Sequence, residues 1–197
     1  MNDKSQKRVT SQHRKGNLFV ISAPSGAGKG TVISKVLQLR PEIVLSVSAT
    51  TRAPRSGESN GTSYHFVTRD EFAGMISNGD FLEYAEYVGE FYGTPKKPIE
   101  RYIEDGKDVL LEIEVQGAKQ IMEKMPEAVT IFIIPPDIKE LERRLKGRGT
   151  DVGDKLKARL DIALTELKEK ENYDHIVVND DILIAAKDVL SIIDNQH

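Results

Sequence analysis

Residues 23–31, Ala23-Pro24-Ser25-Gly26-Ala27-Gly28-Lys29-Gly30-Thr31, lie between an apolar run, Leu18-Phe19-Val20-Ile21, and a segment from Val32 to Leu37. The first is short enough for a buried strand, and the second has apolar spacing that suits a helix. A strand, a glycine-rich turn and a helix in that order make a phosphate cradle. Glycines let successive backbone N–H groups turn toward one anion, the helix N-terminus adds the positive end of its dipole, and Lys29 adds a full charge. The segment approaches the nucleotide-binding P-loop pattern GxxxxGK[ST] with two departures. Ala23 stands where the first glycine is usual, and Gly30 follows the lysine, with Thr31 bringing a hydroxyl one position later. A dinucleotide-binding loop fits less well, because Thr31 stands where a third glycine is needed and no acidic residue follows at the usual distance. The competing reading is an ordinary glycine-rich turn.

A chain of 197 residues is expected to form one core domain with inserted subdomains. It has no cysteine, which excludes disulfides and thiolate metal sites and agrees with a reducing compartment. A net charge of −3 argues against nucleic acid as a main partner. No apolar run approaches the ~20 residues that span a bilayer, so no membrane partner is expected. Residues 1–16 differ in kind: Lys4, Lys7, Arg8, Arg14 and Lys15 sit among polar residues with almost nothing apolar. No apolar stretch precedes Leu18, so this is not read as a secretory signal but as a solvated, disordered basic tail.

Three further apolar runs read as strands of a parallel sheet: Val109 to Ile113, Val129 to Ile134, and His175 to Val178. Each precedes a stretch of helical spacing, at Gly117 to Met125, Asp137 to Leu145, and Asp181 to Ile193. That alternation predicts a doubly wound α/β core with right-handed crossovers, binding its ligand at the carboxyl ends of the strands. From about Ser46 to Pro98 turn signals separate short β-rich pieces such as Ser63 to Val67 and Phe81 to Ala85. This predicts a small, partly antiparallel insertion with one helix near Arg69 to Ile76. A charged, mostly helical stretch from about Arg144 to Glu171, broken by Gly147 and Gly149, predicts a hinged flap. The expected division is a tail at 1–16 and a domain at 17–197. Within the domain the core takes 17–45, 99–137 and 172–197, the insertion about 46–98, and the helical lid about 138–171.

In Ser46-Val47-Ser48-Ala49-Thr50-Thr51-Arg52-Ala53-Pro54-Arg55, two arginines three apart beside a rigid proline can fork onto one phosphate monoester. Ser56-Gly57-Glu58, Gly61, Tyr64, Phe81-Leu82-Glu83 and Tyr92-Gly93-Thr94 follow. With Gly147-Arg148-Gly149-Thr150 and Ile176 to Asp181, they complete a pattern that resembles guanylate kinase from about Gly16 to the C-terminus. The resemblance implies a cytoplasmic P-loop enzyme that moves the γ-phosphate of ATP to GMP, and to dGMP, with Mg²⁺. It implies that Arg52, Arg55, Tyr64 and Tyr92 hold the GMP phosphate, while Ser48, Glu83 and Thr94 line the guanine pocket, with Glu112 and Glu114 on the same side. Lys29 and the backbone from Ala23 to Thr31 would hold the ATP phosphates, with Asn179 near the adenine. Arg144, Arg148 and Arg159 would close from the flap onto the transferred group, joining Lys29 and Arg52 in catalysis.

The chemistry agrees. Guanine presents two adjacent donors, N1–H and the 2-amino group, which one carboxylate such as Glu83 can accept together; adenine presents a lone pair at N1. A site built on such hydrogen bonds rejects the wrong base by on the order of 10⁴-fold. Phosphoryl transfer needs positioning and charge neutralisation more than covalent chemistry, and the GMP phosphate is already an anionic nucleophile. Gly30 has no side chain for Mg²⁺, which leaves Thr31 or water. Glu112 and Glu114 stand where the family often has aspartates. Two rivals remain at this stage: a sugar-phosphate kinase, which has no use for Ser48 and Glu83, and a silent interaction module, which has no use for Lys29 and both arginines.

Overall fold

The computed structural model describes residues 14–147 and 154–197. Residues 1–13 of the expected tail, and Arg148, Gly149 and Thr150 of the expected flap, lie outside them. In chain order the elements begin β1 (Leu18–Ser22), α1 (Lys29–Leu39), β2 (Val44–Leu45), β3 (Ala49–Thr50), β4 (His65–Phe66), α2 (Arg69–Ser77), β5 (Phe81–Tyr87) and β6 (Glu90–Pro95). They continue α3 (Lys96–Glu104), β7 (Val109–Glu112), α4 (Val115–Lys124), β8 (Val129–Ile134), α5 (Ile138–Gly147) and α6 (Asp154–Leu167). A short 3-10 helix (Lys168–Asn172), β9 (His175–Val178) and α7 (Ile182–Asp194) complete them.

Five strands form a parallel sheet in the order β2-β7-β1-β8-β9. Every residue of β1 is buried, as expected of a strand covered on both faces. Its alternate side chains feed two cores, following the period of two. Phe19 and Ile21 join Val32, Ile33 and Val36 of α1 and Val189 and Ile193 of α7. Leu18 and Val20 join Ala118 and Ile121 of α4, together with Phe132 and Tyr173. The chain first builds one side of β1, through β2 and β7, and then crosses to β8 and β9 on the other. The reversal leaves a crevice beyond the carboxyl end of β1, where the glycine-rich turn sits.

Four strands form a second sheet, β4-β3-β6-β5, with β3 parallel to β4 and antiparallel to β6, and β5 antiparallel to β6. It has its own small core of Ala49, Phe72 and Phe81, with Phe91 stacked on Phe72 at 5.5 Å. Phe72 comes from α2, which starts in a capping box: Thr68 accepts from the Glu71 N–H, and Glu71 accepts from the Thr68 N–H. α5 and α6 pack through Leu141, Leu145 and Ala163, a further separate cluster. Among the described residues no helix is long and apolar enough to cross a membrane.

Candidate functional site

The turn after β1 closes because Gly26 and Gly28 take φ values of +92° and +88°, which a side chain disfavours. Gly28 is the N-cap of α1 and brings no capping side chain to the amides of the first turn. Three contacts fix the turn from outside. Asn179 Nδ2 donates to Ala27 O at 2.7 Å, Arg144 Nη1 donates to the same oxygen at 3.2 Å, and Arg144 Nη2 donates to Asn179 O at 2.9 Å. Leu141 and Leu145 of α5 pack on Gly26 so closely that a Cβ there would stand 2.8 Å from Leu145 Cδ2. Ala23, Pro24 and Ala27 are buried, and Thr31 is exposed on the first turn of α1. Lys29 Nζ donates to Ile113 O at 2.8 Å and lies 3.5 Å from Glu114 Oε1. The Ser25 N–H donates to Glu166 Oε2 at 3.1 Å, and Arg159 Nη2 donates to Ser25 Oγ at 3.1 Å. A helix of the expected lid thus sets both a carboxylate and a cation on the cradle.

Opposite stands the second sheet. Arg52 forks onto Glu58 through Nη1 and Nη2, both at 2.9 Å, and its guanidinium lies over the Tyr64 and Phe66 rings at 5.3 and 5.8 Å. Glu58 also accepts from the Arg55 N–H at 2.7 Å. These bonds, the Arg52 fork first, hold the Glu58 carboxyl below its ordinary value. The exposed Arg55 side chain, Tyr64 and Tyr92 share this wall, the two rings meeting edge-on at 6.1 Å. Glu83 is only 4% exposed, and its Oε1 accepts from Thr94 Oγ at 2.7 Å. Burial pushes its carboxyl up, against the Thr94 bond, which favours the charged form. Gly117 of α4 leaves room for it, since a Cβ there would stand 2.3 Å from Glu83 Oε2. A cleft of about 830 Å³ is lined by Ser48, Arg52, Arg55, Tyr64, Glu83, Tyr92, Glu112 and Glu114, with Asp161, Thr165 and Glu166 of α6 facing them. A smaller hollow of about 220 Å³ carries Ser48, Tyr64, Glu112 and Glu114 on to Lys29.

A family model described as guanylate kinase matches residues 15–196. The chain belongs to the guanylate kinase family. The guanylate kinase of Lactococcus lactis is 50% identical over 183 residues, covering 93% of this chain and 89% of that one. That of a Thermus thermophilus strain is 50% identical over 179 residues, covering 91% and 81%. The crystal structure of guanylate kinase from Anaplasma phagocytophilum matches with a TM-score of 0.77 and 40% identity, covering 93% of this chain and 87% of that one.

Within this guanylate kinase fold, most of the sequence-derived candidates converge on one cleft and the turn beside it. Asn179 lies against Ala27 with its side chain buried, so its observed contact is with the cradle. Arg143, beside Arg144, is exposed and paired with Glu140 at 2.6 Å; the two arginines draw the Glu140 carboxyl down to about 2. Three residues given no role on sequence support the site: Glu58 on Arg52, Glu166 on Ser25, and Gln120 through the Tyr84 backbone outside the cleft lining. The first had a local signal, an acid three residues after Arg55 across a glycine turn. The other two sit on charged helices, where a functional carboxamide or carboxylate looks like any solvated one.

Proposed function

We propose that this chain transfers the γ-phosphate of ATP to GMP, giving ADP and GDP, in the cleft between the glycine-rich turn, the second sheet and α6. The observation that carries the reading is the buried Glu83 carboxylate, held by Thr94, in the same cleft as Arg52 and Arg55. A buried acid lining an open cleft is an acceptor for paired donors, and guanine offers them at N1–H and the 2-amino group. Arg52, Arg55, Tyr64 and Tyr92 take the GMP phosphate, and Ser48 and Thr94 complete the base pocket. dGMP is an acceptor as well, because recognition is invested in the base edge and the phosphate.

The amides from Ala23 to Thr31 and Lys29 take the ATP phosphates, Lys29 leaving Ile113 O for the β- and γ-oxygens. Arg144 holds the cradle from behind and Arg159 faces the transferred group beside Ser25. Mg²⁺ fits these residues as a companion of ATP: no group of three or more acidic, histidine or cysteine side chains among the described residues forms a metal cage. Mg²⁺ commonly relies on phosphate oxygens, water and one or two carboxylates. Glu112 Oε1 lies 3.3 Å from where a Cβ of Gly30 would stand, so its carboxylate reaches the place of the missing P-loop hydroxyl, with Thr31 beside it. When bound, the ion neutralises charge on the phosphates. We further propose the division into core, GMP-binding insertion (46–98) and lid (138–171), and a cytoplasmic location, where ATP is available as donor.

The test is ADP release, coupled to a reporter, with GMP, dGMP, AMP, CMP and UMP as acceptors. Turnover with GMP and dGMP alone is expected. Equal rates with AMP, or none with any acceptor, would overturn the reading.

A further inference from the structure

We propose that Gln120 is a positioning residue for base choice, holding strand β5 so that the Glu83 carboxylate stays where guanine needs it. This rests on the reading of Glu83 given above. β5 is the outer strand of its sheet, so one side of its backbone has no strand partner. Gln120 supplies one. Its Nε2 donates to Tyr84 O at 2.6 Å and its Oε1 accepts from the Tyr84 N–H at 3.3 Å, the two bonds a neighbouring strand would make. One turn further along α4, Lys124 Nζ donates to Leu82 O at 3.0 Å. One turn earlier, Gly117 lies under the Glu83 carboxylate. Residues spaced three and four apart share a helix face, so α4 grips the backbone on both sides of Glu83 and floors its side chain.

The grip matters because the other side of β5 is irregular. The β5–β6 ladder shifts register between Phe81 and Glu83. Such a bulge re-aims a side chain and leaves pairing on that side a weaker constraint. Thr94 holds one carboxylate oxygen from β6, Leu82 anchors the strand in the core, and the α4 side chains supply hydrogen bonds to its free backbone edge. Two hydrogen bonds to one base edge require placement within about half an ångström. Loosening β5 therefore affects guanine recognition and leaves ATP binding untouched.

The experiment compares kcat/KM for GMP and AMP in the wild type, Gln120→Met, Glu83→Gln and the double variant. Methionine keeps the length and helix propensity and removes both hydrogen bonds. Gln120→Met is expected to lower the GMP/AMP ratio about tenfold through KM for GMP. KM for ATP should stay unchanged, and the double variant should show no further loss beyond Glu83→Gln. If Glu83→Gln lowers the ratio but Gln120→Met leaves it unchanged, or costs both acceptors equally, the inference is wrong. If Glu83→Gln itself leaves the ratio unchanged, the reading of Glu83 fails first. Lys124→Met, which frees the same strand at Leu82, is read in the same way should Gln120→Met not fold.

Discussion

Glu83 is under two opposed demands. Burial disfavours its anion and raises its carboxyl, whereas in the proposed base pocket the two donors of guanine need the anion. A carboxyl raised in the fold contributes stability that is fully present below its ordinary value of 4.5 and is lost as pH rises through the raised value. GMP binding then draws off the proton within that same window. KM for GMP should fall as pH rises from about 4.5 through the window, and Glu83→Gln should lack that step. The GMP phosphate titrates near pH ~6 in both proteins, so comparing the two profiles removes it. Identical profiles would exclude Glu83 from the base pocket. Lys29 is simpler, since its ammonium rests on a carbonyl and one exposed acid and is free to move. Lys29→Ala should lower turnover at least about 100-fold, because a charge aimed at developing phosphate charge is worth more than the ~1.5–3 kcal/mol of a ground-state contact. The melting temperature should barely move, and near-normal turnover with ATP would refute the cradle.

At the scale of elements, legibility followed burial. β1, β7 and β8 were readable as apolar runs because a parallel strand covered on both faces has no polar alternation to blur it, and the edge strand β9 was readable as one although Ile176 and Val178 stand exposed. β2 and β3, two residues each, are too short to leave a period. α3 was hidden by Pro98, which looked like the close of a loop but sits in a first helical turn, where a missing N–H costs nothing. β6 was missed for a more instructive reason. Its hairpin with β5 turns at Val88-Gly89, with φ of +53° and +78°, a pair of left-handed residues that ordinarily calls for Asn-Gly. A β-branched residue there gives no turn signal and is strained. Val88 is 84% exposed, so nothing it packs against offsets the strain. Val88→Asn should therefore stabilise the protein by about 1 kcal/mol and raise the melting temperature by about 2–4 °C, with turnover unchanged. A lower melting temperature would show that the turn is held by something other than its own backbone preference.

At the scale of the molecule, the sequence carried the chemistry better than its assembly. The proposed cradle and arginine pair stand out in the sequence because each needs particular residue types in a local pattern, whereas Glu83 was singled out through the family resemblance. The contacts that bring them together join residues far apart in the chain: Ser25 to Glu166, Ala27 to Asn179, Tyr84 to Gln120. Two of these three reach the glycine-rich turn, and one comes from the element expected to move. Glu166 holds the Ser25 N–H, an amide of the loop proposed to receive phosphate, and Leu141 and Leu145 rest on Gly26 of the same loop. On the proposed reading ATP cannot enter that cradle and leave the Glu166 carboxylate where it is, because two anions would share one donor. In-line transfer also needs both nucleotides aligned and water kept out, which a cleft of about 830 Å³ open to solvent does not provide. We therefore propose that α6 resettles on the phosphates, with Arg159 carried along and the second sheet drawn toward it. A bisubstrate mimic joining adenosine and guanosine through phosphates should reduce the radius of gyration measured by solution scattering. ATP alone should produce part of that change, because it displaces Glu166 but gives the second sheet nothing to close upon. A scattering profile that stays the same at saturating mimic would mean that α6 and the second sheet already stand in their working positions, and that Glu166 yields by rotating its side chain alone.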